Sequence, residues 1–196
     1  INVQHCEYAN HLRNQMILSW HALISQGYVK NIPSQLKEYV HKGLVDLLLH
    51  EVGHTLGLRH NFKGSSIFTI EELSNPSFTN DMGISGSVMD YHPISLLDNG
   101  NTMFQTKPGP YDDWAIAYGY SLATYENEEE LLNAITSQSN LPYLAYGTDE
   151  DAFGLSSKGI DPLCSTWDMG NDPILYYNRQ LDLVEKLWNN ILDNFL

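Results

Sequence analysis

The segment from Leu44 to His60, L-V-D-L-L-L-H-E-V-G-H-T-L-G-L-R-H, constrains this chain more than any other. His50 and His54 are four residues apart, which on an α-helix places them on one face with Cβ atoms about 5–6 Å apart. Two imidazoles at that spacing can share one metal ion. Glu51 lies about 100° round the helix from His50, on the rim of the same face. From there its carboxylate can reach a metal-bound water without ligating the metal. In this H-E-x-x-H arrangement two histidines hold zinc and the glutamate is the general base. The apolar run Leu44, Val45, Leu47, Leu48 and Leu49 predicts a buried helix.

His60 is ten residues after His50, about 15 Å along a continuous helix, too far to share the ion. Gly57 removes that difficulty, because a glycine just past a helical run readily takes the left-handed conformation that ends a helix. The turn can then bring His60 back to the metal. Three neutral imidazoles leave a fourth position for water, the open coordination of a catalytic zinc. The full string H-E-x-x-H-x-x-G-x-x-H is the extended motif of metzincins. Downstream, Ser87-Val88-Met89-Asp90-Tyr91 resembles their Met-turn, in which a methionine lies beneath the three histidines. Tyr91 matches the position that approaches the zinc in astacin-like and serralysin-like members. That resemblance gives its hydroxyl two roles, ligand of the resting zinc or donor to the oxyanion, and the sequence does not separate them. It makes Met89 a packing residue under the site and Asp90 a turn residue.

Three local words resemble one family: H-T-L-G-L-R-H-N-F-K-G-S (54–65), S-V-M-D-Y (87–91) and G-P-Y-D-D-W-A-I-A-Y-G-Y (109–120). Together they look like the Met-zincin family of large bacterial zinc-dependent metalloproteases. Weaker similarity at 146–151 and 168–173 extends the resemblance over roughly residues 44–180. It implies an extracytoplasmic (secreted, periplasmic or cell-surface) protease with one catalytic Zn²⁺ on His50, His54 and His60, and with peptides or proteins as substrates. It also implies a longer polypeptide whose other parts contact this chain. Asp112 and Asp113 read as helix caps or as supports behind the ligands.

Two other function classes fit the same motif. One is a peptidase fold that has lost turnover and serves as a binding module, although the retained Glu51 argues against it. The other is a zinc hydrolase acting on a non-peptide amide.

The net charge of −14 is uneven: residues 126–196 carry 13 acidic and 3 basic side chains, −10 of the total. Such a surface disfavours nucleic acid as a partner. No stretch approaches the roughly 20 apolar residues of a membrane span. Cys6 and Cys164 could pair in an oxidising compartment, but two cysteines establish no disulfide framework. Asp149, Glu150, Asp151, Asp161, Asp168 and Asp172 are dense enough for Ca²⁺, yet their spacing matches no EF-hand loop. Solvated acidic loops are the simpler reading.

The expected architecture is an α+β zincin or metzincin-like catalytic domain, mainly α with few short strands. A single domain over 1–196 is expected, with a zinc-site core at 1–120 and an acidic helical part at 121–196. The chain begins at Ile1 and stops within a helical pattern, so a piece of a larger protein is expected. Helix spacing predicts a backing helix over 6–26 and the zinc helix from Pro33 to about Leu56. The histidines of the first, His5, His11 and His21, read as exposed or hydrogen-bonded. Thr69 and Glu72 predict a capping box on a short helix ended by Asn75-Pro76, followed by an irregular segment over 77–110. Further helices are expected at 111–118, 125–137 and from Pro173 onward, with a short strand at Leu141–Tyr146. In the last helix, Ile174, Tyr177, Leu181, Val184, Trp188 and Ile191 form one stripe, expected to be core or interdomain packing. The substrate-aligning sheet of a zincin is not evident, so it is expected either before Ile1 or in reduced form.

Overall fold

Two long helices carry the architecture, α1 (Tyr8–Ser25) and α2 (Pro33–Thr55). The structure, a computed structural model, describes residues 7–96, 103–124, 127–153 and 161–195. Short helices α3 (Ile70–Leu73) and α4 (Pro76–Met82) follow, then α5 (Pro110–Tyr120), α6 (Glu128–Thr136), the single turn α7 (Asp149–Ala152) and the long α8 (Pro173–Phe195). Among the described residues there is no β-strand, which corrects the expected α+β fold to an all-helical one. Leu141–Tyr146 is not a strand. Pro142 has no N–H to give to a ladder and opens a 3₁₀ turn over Pro142–Leu144, closed by the Leu144 amide donating to the Leu141 carbonyl at 2.9 Å. No helix among the described residues is long and apolar enough to cross a membrane. His5 and Cys6 lie outside the described residues, and Cys164 is buried.

The expected backing helix is α1. It buries Tyr8, Leu12, Trp20, Ala22 and Leu23 and ends at Gly27, whose φ of +74° is left-handed. Its His11 and His21 are exposed, as read from the sequence. Pro33 starts α2 at the position where a missing N–H costs nothing. The buried face of α2 is Tyr39, Gly43, Asp46, His50 and Gly53, a row of polar and small residues. Of the apolar run expected to be buried, Leu44 and Leu48 face outward, 57% and 62% exposed, and Val45, Leu47 and Leu49 are half-buried. The reason is close approach. A Cβ on Gly43 would run into the Met16 side chain, and one on Gly53 into the Met89 sulfur.

The capping box on α3 is present: the Thr69 hydroxyl accepts from the Glu72 amide, and the Glu72 carboxylate from the Thr69 amide. Asn75-Pro76 does not only end that helix. The Asn75 side chain caps Ser77 and Phe78, and Pro76 is the first residue of α4, so the irregular segment starts at Gly83 rather than 77. Phe68, Leu73, Ile84 and Met169 form a small core cluster there, with Phe78, Met82 and Tyr176 packed on it. The larger cluster joins Tyr8, Leu12, Trp20, Leu23 and Tyr39 to Phe62, Tyr91 and Phe104.

Helix α8 contacts α1 and turns Tyr176, Leu183 and Leu187 partly inward. The stripe expected to be core or interdomain packing is not in this chain's core: Ile174 is 74% and Trp188 68% exposed, and the Ile191 side chain lies outside those described. The apolar seam is real but on the outer face. Glu128, Glu129 and Glu130 of α6 are exposed, as a solvated face should be.

Gly109 precedes α5 and Gly119 lies in its last turn, and the two should respond oppositely to alanine. A Cβ at Gly109 would collide with the Gly86 backbone, whereas at Gly119 it would meet nothing within 4 Å. Gly109→Ala should cost about 1–3 kcal/mol, the scale of overpacking, and Gly119→Ala should add roughly 0.5–1 kcal/mol. Urea midpoints check both, and a Gly109→Ala chain as stable as wild type would contradict the described contact.

Candidate metal centre

Three histidine rings meet at the C-terminal end of α2. Ring centroids are 4.8 Å apart for His50 and His54, 4.8 Å for His54 and His60, and 5.4 Å for His50 and His60. One ligand atom from each lies within 4.8 Å of the others. Gly57, at φ +88°, ends the helix, and the Leu58 amide donates back to the Gly53 carbonyl at 3.0 Å. That left-handed turn returns His60 to the pair on the helix.

Each ring is oriented through Nδ1. His50 donates to the Val88 carbonyl at 2.8 Å, His54 to the Leu58 carbonyl at 3.1 Å, and His60 to the Asp149 carboxylate at 2.9 Å. A carbonyl or an ionised carboxylate can only accept, so these bonds fix the proton on Nδ1 and the lone pair on Nε2. Three such nitrogens at this spacing fit a divalent metal with imidazole preference. Among the described residues this is the group that could hold an ion. The acidic residues weighed for calcium do not gather in one place. Asp149 and Glu150 face Arg59, Asp151 caps Thr148, Asp161 pairs with Lys63, Asp168 takes the Ser65 hydroxyl, and Asp172 caps α8.

The turn at 87–91 lies directly against this group. Met89 is fully buried and packs on Gly53. Tyr91 is 8% exposed, with its ring 4.8 Å from His60 and 5.5 Å from His50. Glu51 is on the exposed side of α2, next in sequence to buried His50. Asp112 is the main support of the turn: its carboxylate accepts from the Ser87 hydroxyl at 2.6 Å, the Val88 amide at 2.8 Å and the Gly109 amide at 2.8 Å. Burial raises its pKa, and those donors oppose the rise. Asp113 is exposed, and its charge adds to that rise. Asp90, expected to be a plain turn residue, is fully buried and accepts from the Ser65 amide at 2.6 Å. Burial pushes its carboxyl well above the usual range; the Ser65 amide opposes this and the Asp168 carboxylate adds to it.

Several contributors were not read from the sequence. Tyr8 stacks on His50 at 4.5 Å and donates its hydroxyl to Asp46 at 2.8 Å. Asp46 also takes the Gln105 amide at 3.0 Å and lies 3.6 Å from the His92 ring. Its pKa is raised by burial, with His92 and Tyr8 pulling the other way. Asp46 had a usable signal, an acidic residue one turn before His50 inside an apolar run. Asp149 is 89 residues from His60, and the similarity at 146–151 that includes it did not link it to that histidine. Burial raises the Asp149 pKa, but the His60 hydrogen bond and ring outweigh it and leave the carboxyl below its ordinary value. The site opens on a cleft of about 640 Å³ between His60, Tyr91, Asp149, Phe153 and Trp167.

A helix bearing two of three convergent histidines, with the third returned by a glycine turn, defines a zinc-metallopeptidase-like domain. The chain belongs to the Met-zincin family, whose model matches residues 33–195, from the first residue of α2 through the end of α8. Searches of curated proteins and of solved structures found no match to the chain.

Asp112→Ala strips the acceptor from two backbone amides and a hydroxyl in a buried turn. It should cost about 2–5 kcal/mol, on the scale of 1–3 for each buried group left unsatisfied, while Asp113→Ala should stay within roughly 1 kcal/mol. Denaturant unfolding of the two variants checks the contrast, and equal effects would contradict the role of Asp112.

Proposed function

We propose that this chain hydrolyses peptide bonds as a zinc-dependent metallopeptidase, with His50, His54 and His60 as the metal ligands. The observation that carries this reading is the convergence of three Nδ1-anchored imidazoles, with the exposed Glu51 next in sequence to His50. The chemistry that zinc supplies in such a site is polarisation of the scissile carbonyl and acidification of water toward a pKa of about 7. Glu51 takes the proton from the attacking water and passes it to the leaving amine. His50, His54 and His60 keep their protons on Nδ1 throughout, held there by Val88, Leu58 and Asp149. Tyr91 stands beside His50 and His60, and donation from its hydroxyl to the developing oxyanion is the role assigned to it.

Protein purified without chelator should hold one zinc per chain by elemental analysis, and His60→Ala should lose most of it. Glu51→Gln preserves size and removes the base, so zinc content and melting temperature should stay near wild type while peptide turnover falls by about 10²–10⁴-fold. A Glu51→Gln chain with wild-type turnover would contradict the assignment.

Tyr91→Phe should lower kcat by roughly 10²-fold with little change in KM, the cost of losing one oxyanion donor. Turnover unchanged by Tyr91→Phe would instead match a tyrosine that only ligates the resting zinc. The measurement is steady-state kinetics on a peptide identified from a library digest.

A further inference from the structure

We propose that Asp149 is a positioning residue of the metal centre, holding His60 through its Nδ1–H and strengthening it as a ligand. The proposal rests on the zinc reading above. His60 differs from the other two histidines in what holds it. His50 and His54 stand on α2, where the helix itself sets the backbone, and their Nδ1 atoms meet neutral carbonyls. His60 comes after the helix has ended, and its Nδ1 meets a carboxylate at 2.9 Å, with the two side chains only 10% and 14% exposed. A hydrogen bond to an ionised acceptor is shorter and roughly twice as strong as a neutral one. It also pushes electron density toward the ligating nitrogen.

The segment carrying Asp149 is laced to the segment carrying His60. The Phe62 amide donates to the Gly147 carbonyl at 2.7 Å, the Asn61 side-chain amide to the Ala145 carbonyl at 3.0 Å, and the Gly147 amide to the Asn61 side-chain oxygen at 3.2 Å. Asn61 is itself fully buried, and its amide donates to the Met89 carbonyl at 3.0 Å. The carboxylate of Asp149 is oriented from both sides. Oδ1 accepts from His60, while Oδ2 accepts from the Thr148 hydroxyl at 3.2 Å and faces Arg59 at 3.7 Å. Arg59 makes its shorter contact, 2.6 Å, with Glu150, so Glu150 is a natural control: it shares the arginine without touching His60. The arrangement is that of a structural clamp with a charge at its tip. The one ligand outside the helix is supplied with its geometry, and with a negative partner, by a distant part of the chain.

The test is zinc affinity, measured by competition with a chromophoric chelator on the full chain, together with the melting temperature of the zinc-free protein. Asp149→Ala should weaken zinc binding by about 10–100-fold, the usual consequence of removing such a partner. Asp149→Asn keeps the size and an acceptor oxygen but loses the charge. It should fall between Asp149→Ala and wild type, with a zinc-free melting temperature near wild type, whereas Glu150→Gln should bind zinc within twofold of wild type. If Asp149→Ala fails to fold, the asparagine variant decides. Wild-type zinc affinity in Asp149→Asn would overturn the proposal while leaving the metal reading intact. A wild-type chain that binds no zinc would overturn the metal reading itself.

Discussion

The hydrogen bond from the His50 ring to the Val88 carbonyl joins α2 to the turn at 87–91, and the rest of the structure depends on that junction. A bond of 2.8 Å from a side chain on the helix to the backbone of the turn requires the two to lie in contact. Gly53 makes that possible, since a Cβ there would strike the Met89 sulfur. The inner face of α2 is consequently built from small and polar residues, and its large aliphatic side chains are displaced to the outer surface. In most amphipathic helices the apolar stripe faces the core; here the site occupies that face.

The second consequence concerns the irregular chain from 83 to 95, most of which is buried. Loops usually run on the surface because buried backbone amides need partners. Among the described residues it has no strand to pair with, and side chains serve several of its amides. Gln105 accepts from Ile84 and Ser85, Asp112 from Val88, and the Ser87 hydroxyl from Met89. Asp90 in turn accepts from Ser65, and Gly109 lies so close to Gly86 that only glycine fits. Asp46, Asp90 and Asp112 are all driven above the ordinary carboxylate pKa by burial, the cost of using charged acceptors inside the protein.

What the sequence disclosed follows the range of each interaction. The spacing of His50, His54 and His60 around Gly57, the capping box at Thr69 and Glu72, and the proline starts of α2, α5 and α8 are local, and they were legible. The family was legible too, because its words are contiguous. The burial of α2 was misjudged, since hydrophobicity reports a preference and the glycines and Asp46 set the actual face. Of the two readings of the seam on α8, core packing fails because the pattern gives a period but does not say which side meets the core. The strand at Leu141–Tyr146 failed because an apolar run is a strand only if something pairs with it, and Pro142 favours a turn. Tyr8, Gln105 and Asp149 reach the site from far along the chain, and no spacing rule connects them to the histidines.

The central claim is that three imidazoles on this scaffold form one zinc site, and X-ray absorption at the zinc edge tests it most directly. Zinc-loaded protein should show a first shell of nitrogen and oxygen at about 2.0–2.1 Å, with the outer-shell scattering of three imidazoles that falls to two in His60→Ala. A sulfur shell at about 2.3 Å, or a wild-type spectrum with fewer than three imidazoles, would contradict it.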